Sequence, residues 1–173
     1  MSKNTKSIAV VVVDMQDFFL GNVNFSVKKE LFENQRKVLS LCNKNKIPVI
    51  FLEYGDGGVS RGYTNSVLKR SIDKSLATVI VKDSNSGFTN PYLGKLLNDL
   101  SIKRIILMGI NANGCVQDTA IGAVKRNYKV ITAKGIIANS YSTEIKLSNK
   151  NRRWYENNTN YLKSVDDLVQ EFD

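Results

Sequence analysis

The sequence predicts an α/β fold: a three-layer α-β-α sandwich around a mostly parallel central sheet, of Rossmann type. Three observations carry this. Short apolar, β-branched runs alternate with helix-spaced segments along the chain. The first run, residues 8–13 (IAVVVV), is apolar at every position, as a central strand covered on both faces requires. The reactive residues Asp14, Lys82 and Cys115 stand just past predicted strand ends, where ligands bind in such sheets.

The elements follow in order. After the first strand, apolar residues recur at helical spacing over about 27–45, with Leu31, Val38, Leu41 and Cys42 on one stripe. A second strand is expected at 47–52 (IPVIFL), with Pro48 tolerable only near its start. Residues 55–62 (GDGGVSRG) read as a glycine-rich loop. A third strand, 78–81 (TVIV), ends at Lys82, and Pro91 then opens a helix to about Leu100. Residues 104–108 (RIILM) form a fourth strand stopping at Gly109, 114–126 a helix, and 129–133 (KVITA) a fifth strand. Beyond Ala138 the chain turns polar and loses periodicity until a short amphipathic end over 165–172. No repeat, linker or low-complexity block interrupts this order, so residues 1–173 are expected to form one domain.

With 173 residues and 42% hydrophobic content, the chain is long enough to bury a core without a metal or disulfide staple. It contains no histidine. That excludes a Ser-His-Asp triad, a Cys-His dyad and a histidine-ligated zinc or iron site. Two cysteines exclude both an all-cysteine zinc site and a disulfide-dense scaffold. The formal charge is +9, but the cations are scattered among asparagines. Their densest runs, Lys28-Lys29, Lys69-Arg70 and 150–153, are short enough to be solvated faces, so no nucleic-acid partner is expected. Lys3 and Lys6 lead straight into the first strand without a signal-type apolar stretch. No segment approaches about 18 consecutive apolar residues. The expectation is a cytoplasmic protein with no membrane contact and a small-molecule substrate.

Cys115 stands in GINANGCV, at the first turn of a predicted helix, where unpaired N–H groups and the helix dipole favour a thiolate. Lys82 beside it is expected to lower the thiol pKa further. Asp14 can take the thiol proton and return it to a leaving amine, the work histidine does in other cysteine enzymes. Backbone N–H groups around Asn111 and Cys115 are placed to hold a developing oxyanion. Together these describe acyl transfer through a thioester, then attack by water. Each residue alone has a plainer reading: Asp14 as a turn residue or cap, Lys82 as a solvated cation, a cysteine as a small hydrophobe. The last is the reading given to Cys42. The trio taken together favours function.

Three segments resemble the isochorismatase-like cysteine hydrolases, the superfamily containing nicotinamidases and related amidases. VVVVDMQDFF is similar to the family's first strand, whose closing aspartate, here Asp14, is the general acid/base. VKDSNSGFTNPYLGKLL is similar to the segment carrying the family lysine, here Lys82, followed by Gly87 and Phe88. LMGINANGCVQDTAIGAVKRNYKVITA is similar to the nucleophile segment, with Cys115 followed by Val116 and Ala123. The resemblance runs from about Ile8 to Ala133. It implies an isochorismatase-like fold and a cis peptide between Ile110 and Asn111 that turns the Asn111 N–H toward the oxyanion. It also implies a pocket formed by Phe19, Gln16, Phe88 and Tyr54, with Gln16 supporting the loop, and a homodimer or homotetramer.

The departures shape the functional expectation. Nicotinamidases carry an aspartate and histidines that bind a metal after the second strand. Here FLEYGDGGVSRG offers Glu53 and Asp56, read as a solvated loop, so no metal and no cofactor is expected. Lys134 stands where many relatives have an aspartate. The polar stretch 140–161, with Trp154 and Tyr155, matches no pattern; substrate lid, oligomer contact and packing all remain open. The expected activity is metal-independent cysteine hydrolysis of a C–N bond in a small amide, carbamoyl or ureido compound. Vinyl-ether hydrolysis of the isochorismatase type and a non-catalytic interaction protein are the alternatives on the same fold. Arg61, in the glycine-rich loop, points to a carboxylate-bearing substrate.

Overall fold

In the computed structural model, which describes residues 7–172, strand β1 (Ile8–Val13) runs through the middle of the sheet and all six of its side chains are buried. The expectation drawn from Lys3 and Lys6 falls outside the described residues. β2 (Val49–Asp56) pairs in parallel with one edge of β1, and β5 (Arg104–Ile110) with the other. An unbroken apolar run is what such a doubly covered, doubly paired position demands. β4 (Ala77–Lys82) continues the sheet beyond β2, while β6 (Lys129–Ala133) and β8 (Asn160–Leu162) extend it beyond β5. β7 (Ile137–Ala138) adds to the end of β5, and β3 (Val59–Ser60) folds back antiparallel on β2. The sheet, eight-stranded among the described residues, is otherwise parallel.

Among the described residues, seven α-helices flank it: α1 (Asp17–Leu20), α2 (Phe25–Asn45), α3 (Ser66–Arg70), α4 (Pro91–Asp99), α5 (Cys115–Val124), α6 (Asn149–Asn158) and α7 (Val165–Val169). α2 begins where the Asn24 side chain accepts from the Ser26 N–H, and it buries Val27, Leu31, Val38, Leu39 and Cys42 against the core. α4 starts at Pro91 behind an Asn90 cap. The connections through α2 and α3 step outward from β1 to β2 and β4, whereas α5 leads from β5 to β6 in the opposite direction. Right-handed crossovers put these two sets on opposite faces of the sheet. The connections therefore diverge between β1 and β5, and the crevice beyond the carboxyl ends of those strands is the natural ligand site.

The structure adds elements that periodicity did not show. The expected loop at 55–62 is largely a hairpin: β2 runs on to Asp56 and turns through Gly57 and Gly58, both at positive φ (+56° and +80°), into β3. β5 likewise passes Gly109. That residue has φ +137°, and a Cβ there would lie 2.1 Å from the Val13 carbonyl oxygen, so only glycine lets β5 close on the end of β1. The polar stretch 140–161 contains α6 and the start of β8. Tyr155 is fully buried there, donates its hydroxyl to the Ala112 carbonyl, and meets Trp154 edge to face. It is packing.

Candidate active site

The site starts where β1 ends. Asp14 adopts a left-handed backbone (φ +51°), which a short polar side chain tolerates, and its N–H donates to Leu52 O. Lys82 closes β4, two strands away, in register with Tyr54 on the intervening strand. That separation is about 10 Å between backbones, a span a lysine side chain and a carboxylate can close together. The Lys82 Nζ lies 2.9 Å from Asp14 Oδ2, donates to Ser84 O at 3.1 Å and sits 4.8 Å from the centre of the Tyr54 ring. Both partners are almost wholly buried. A buried charge survives only with such pairing, and removing one partner of a pair like this costs about 3–5 kcal/mol. Asp14 Oδ1, also buried, accepts no hydrogen bond from the described residues.

Cys115 is delivered by the turn after β5. The peptide between Ile110 and Asn111 is cis. The turn is tied on every side: Asn111 O accepts from Gly114 and Val116, Asn111 Oδ1 from the Ser140 N–H, and Asn139 Oδ1 from the Asn113 N–H. α5 then opens behind Gly114, which has no side chain to cap it. The Asn111 and Cys115 N–H groups consequently donate to no acceptor among the described residues. Cys115 itself is half-buried, with Sγ 3.7 Å from Asn85 Oδ1.

The electrostatics correct one expectation. Burial and the neighbouring Asp14 charge push the Cys115 thiol up to about 12, and Lys82 only partly opposes them. A thiolate was expected from the helix start and the lysine, but the carboxylate cancels the ammonium and the protein excludes the water that would solvate sulfur. Burial also raises the Asp14 pKa above the ordinary carboxylate value, despite the Lys82 charge. The resting site thus holds a neutral thiol beside a carboxylate with heightened proton affinity. Such a pair is suited to passing one proton from sulfur to oxygen and back.

The remaining expected residues divide. Tyr54 and Phe19, both half-buried, meet edge to face at 6.0 Å and form an apolar wall beside Lys82. Gln16 supports the loop but presents nothing to a ligand. Its buried carboxamide accepts from Tyr54 N and donates to Tyr54 O, Arg61 O and Gly62 O. Phe88 does not join the wall: it stacks on Tyr128 at 6.0 Å under the Arg126 guanidinium, along a groove of about 380 Å³ shared with Asn85 and Asp118. Asn85 carried no signal in the sequence, and Tyr155 was marked there only as an aromatic of the polar stretch, with packing among its readings. Asn85 sits in a polar loop with no periodic signal, and the role of Tyr155 exists only once α6 folds back on the turn.

Glu53, expected in a solvated loop, is buried instead. Its Oε1 accepts from the Thr64 N–H at 2.7 Å and pairs with Lys69 at 3.1 Å, while Oε2 accepts from Ser60. Burial pushes this carboxyl up, but the Thr64, Ser60 and Lys69 donors together hold it below the usual glutamate range. Asp56 is exposed. No group of three or more His, Cys, Asp or Glu side chains is arranged to hold a metal among the described residues.

Against known proteins, the isochorismatase domain family matches residues 8–155. This chain belongs to the isochorismatase family. Its relative YaaI of Bacillus subtilis (strain 168), an uncharacterized isochorismatase family protein, is 30% identical over 155 residues, 81% of this chain and 84% of that one. A cysteine hydrolase from Pseudomonas syringae pv. phaseolicola 1448A superposes with a TM-score of 0.81 at 21% identity, covering 99% of this chain and 98% of that one. The N-carbamoylsarcosine amidase from Thermoplasma acidophilum does so with a TM-score of 0.76 at 20% identity, covering 92% and 97%. As an isochorismatase-family protein the chain is a hydrolase with the α/β fold of that family. No helix among its described residues is long and apolar enough to cross a membrane.

Proposed function

We propose that this isochorismatase-family chain hydrolyses a C–N bond of a small amide, carbamoyl or ureido compound through a thioester on Cys115, without a metal. One observation carries the reading: Asp14 and Lys82 form a buried 2.9 Å pair whose charges both act on a half-exposed thiol at a helix start. Cys115 attacks the substrate carbonyl as Asp14 takes the thiol proton. The tetrahedral oxyanion is held by the free N–H groups of Asn111 and Cys115. Protonated Asp14 then gives its proton to the departing amine, leaving the acyl group on sulfur. Water attacks the thioester with Asp14 again as base, releasing the acid and restoring the thiol. Lys82 keeps the buried carboxylate ionised and positioned between these transfers. The solved N-carbamoylsarcosine amidase of like fold supports the bond type.

The test is ammonia or amine release from an amide and ureide panel in the presence of a chelator. Activity is expected in the wild type, with a loss of about a thousandfold or more in Cys115→Ala. No release from any compound, or unchanged turnover in the variant, overturns the reading. The raised Asp14 pKa favours a second reading, acid-assisted vinyl-ether cleavage, which needs no bond to sulfur. Mass spectrometry of a quenched reaction separates the two, because only the first leaves an acyl adduct on Cys115. We further infer a homodimer or homotetramer, supported by the exposed rings of Phe18, Phe25 and Tyr63.

A further inference from the structure

We propose that Asn85 is a positioning residue that latches the nucleophile. Its carboxamide oxygen accepts the Cys115 S–H in the resting site. An N–H of the incoming amide or ureide takes that oxygen over and frees the thiol proton for Asp14. The proposal rests on the amidase reading and adds to it how the thiol is kept idle between turnovers.

Asn85 is an exposed loop residue, and loop asparagines ordinarily fold their side chains back on neighbouring backbone. This one reaches away instead. Cys115 Sγ donates to its Oδ1 at 3.7 Å, and among the described residues its carboxamide makes no other hydrogen bond. The loop is fixed on both sides of it. Before it, Ser84 O accepts from Lys82 Nζ at 3.1 Å. After it, the Gly87 N–H donates at 3.0 Å to Thr119 Oγ1, the same hydroxyl that donates at 2.7 Å to Cys115 O. Ser86 and Phe88 press so closely on α5 that a Cβ at Gly122 would lie 2.9 Å from each. The distance from Asn85 to the sulfur is therefore set by anchors shared with Lys82 and with Cys115 itself, not by the chance placing of an exposed side chain.

Two acceptors face the thiol, and they divide the work. Asp14 acts on it from close range, yet its Oδ2 is taken by Lys82 and its buried Oδ1 accepts nothing from the described residues. The S–H goes to the neutral acceptor and leaves the base free. A hydrogen bond donated by a thiol favours its neutral form, and only the thiolate is a strong nucleophile, so sulfur held this way is idle. The exchange balances. The substrate N–H replaces the S–H on Asn85 Oδ1, and the S–H swings about the Cβ–Sγ bond to Asp14 Oδ1. The proton passes to that oxygen as sulfur bonds the carbonyl carbon. No further group is consumed, and product release returns the thiol to Asn85. The latch also discriminates: an electrophile with no N–H meets sulfur still tied to Asn85.

The test reads sulfur chemistry on the full chain, without turnover. Two probes share a reacting carbon: iodoacetamide, which carries N–H, and 2-iodo-N,N-dimethylacetamide, which does not. Alkylation of Cys115 by each is followed by mass spectrometry of its peptide. The wild-type preference for iodoacetamide should exceed that of a small free thiol by about threefold to tenfold, the effect of one hydrogen bond. Asn85→Leu, similar in size but without an acceptor, should bring the preference down to the free-thiol value, and Asn85→Asp should restore it. Each ratio is taken within one protein, so changes in sulfur exposure or acidity cancel. The infrared S–H stretching band of Cys115, identified by its loss in Cys115→Ala, should also move in Asn85→Leu. A preference indifferent to Asn85→Leu, no recovery in Asn85→Asp, or an unmoved band overturns the assignment. Failure of the amidase reading looks different. An Asn85-dependent preference and band in a protein whose wild type releases no amine sink the hydrolysis and leave the latch on the thiol standing, whereas ammonia release with neither signature does the reverse.

Discussion

At the scale of single residues the site turns on three side chains whose charges are balanced against one another. Asp14 and Lys82 neutralise each other out of water, and the Cys115 thiol sits where the nearer effect of burial and the carboxylate outweighs the ammonium. The sign of that balance is measurable. Alkylation of Cys115 by iodoacetamide is expected to be slow at neutral pH and to keep rising through about pH 10 without a plateau, since only the thiolate reacts. Asp14→Asn removes the charge that raises the thiol pKa while Lys82 remains, so it should speed alkylation at neutral pH even as hydrolysis is lost. A plateau near the ordinary thiol value of about 8.5, or slower alkylation in the variant, contradicts this account. Cys42, fully buried and pushed up to about 12 by burial alone, should contribute nothing to the signal. That a thiol, a carboxylate and an amine stand at strand ends was legible in the sequence. The direction of the thiol shift was not, because it depends first on how far the fold buries the sulfur and then on the balance of two opposite charges around it.

At the scale of elements, two pieces that periodicity missed hold the site in place. α6 anchors the nucleophile turn through the Tyr155 hydroxyl on the Ala112 carbonyl. Tyr155→Phe leaves that buried acceptor without its donor, at a cost of about 1–3 kcal/mol, and loosens the turn that carries Cys115. A lower melting temperature together with reduced kcat is expected, and wild-type values in both would show the bond to be idle. The β2–β3 hairpin is held to α3 by Glu53, Lys69 and the Thr64 N–H. Because the folded-state pKa of Glu53 is lowered, its contribution is complete above the ordinary glutamate value and is lost as pH falls through the lowered one. Glu53→Gln should therefore be less stable than wild type near pH 6, with the gap closing as pH is taken down to about 3. Thermal melts across that range check it, and a gap independent of pH contradicts it. The Asp-Gly-Gly turn of this hairpin carries a recognisable local signal, two residues free to take positive φ. α6 carries less: beyond the Ser148 cap it is polar throughout apart from Trp154 and Tyr155, and the Tyr155 hydroxyl ties it to Ala112 in a distant part of the chain.

At the scale of the whole molecule, the parallel order β4-β2-β1-β5-β6 puts the sheet's divergence between β1 and β5, and Asp14, Lys82 and Cys115 reach one another there from three different segments. The exposed rings of Phe18, Phe25 and Tyr63, which are 66%, 78% and 75% accessible, stand outside this crevice on the α1, α2 and hairpin side. A dimer or tetramer burying them is expected by light scattering at micromolar concentration, and Phe25→Glu should shift it toward monomer. A wild-type monomer at that concentration contradicts the inference. By itself the sequence determined the class of fold, because an all-apolar first strand and alternating helix periodicity admit few other arrangements. It also determined which reactive residues were available, since the lack of histidine left only a carboxylate and an amine to serve the thiol. The three-dimensional packing alone decided the protonation of that thiol, the burial of Glu53, the anchoring by Tyr155 and the seating of Arg61 over Tyr54. Each of these depends on distances between residues far apart in the chain, and local propensity and spacing carry no information about such distances until the sheet has brought the segments together.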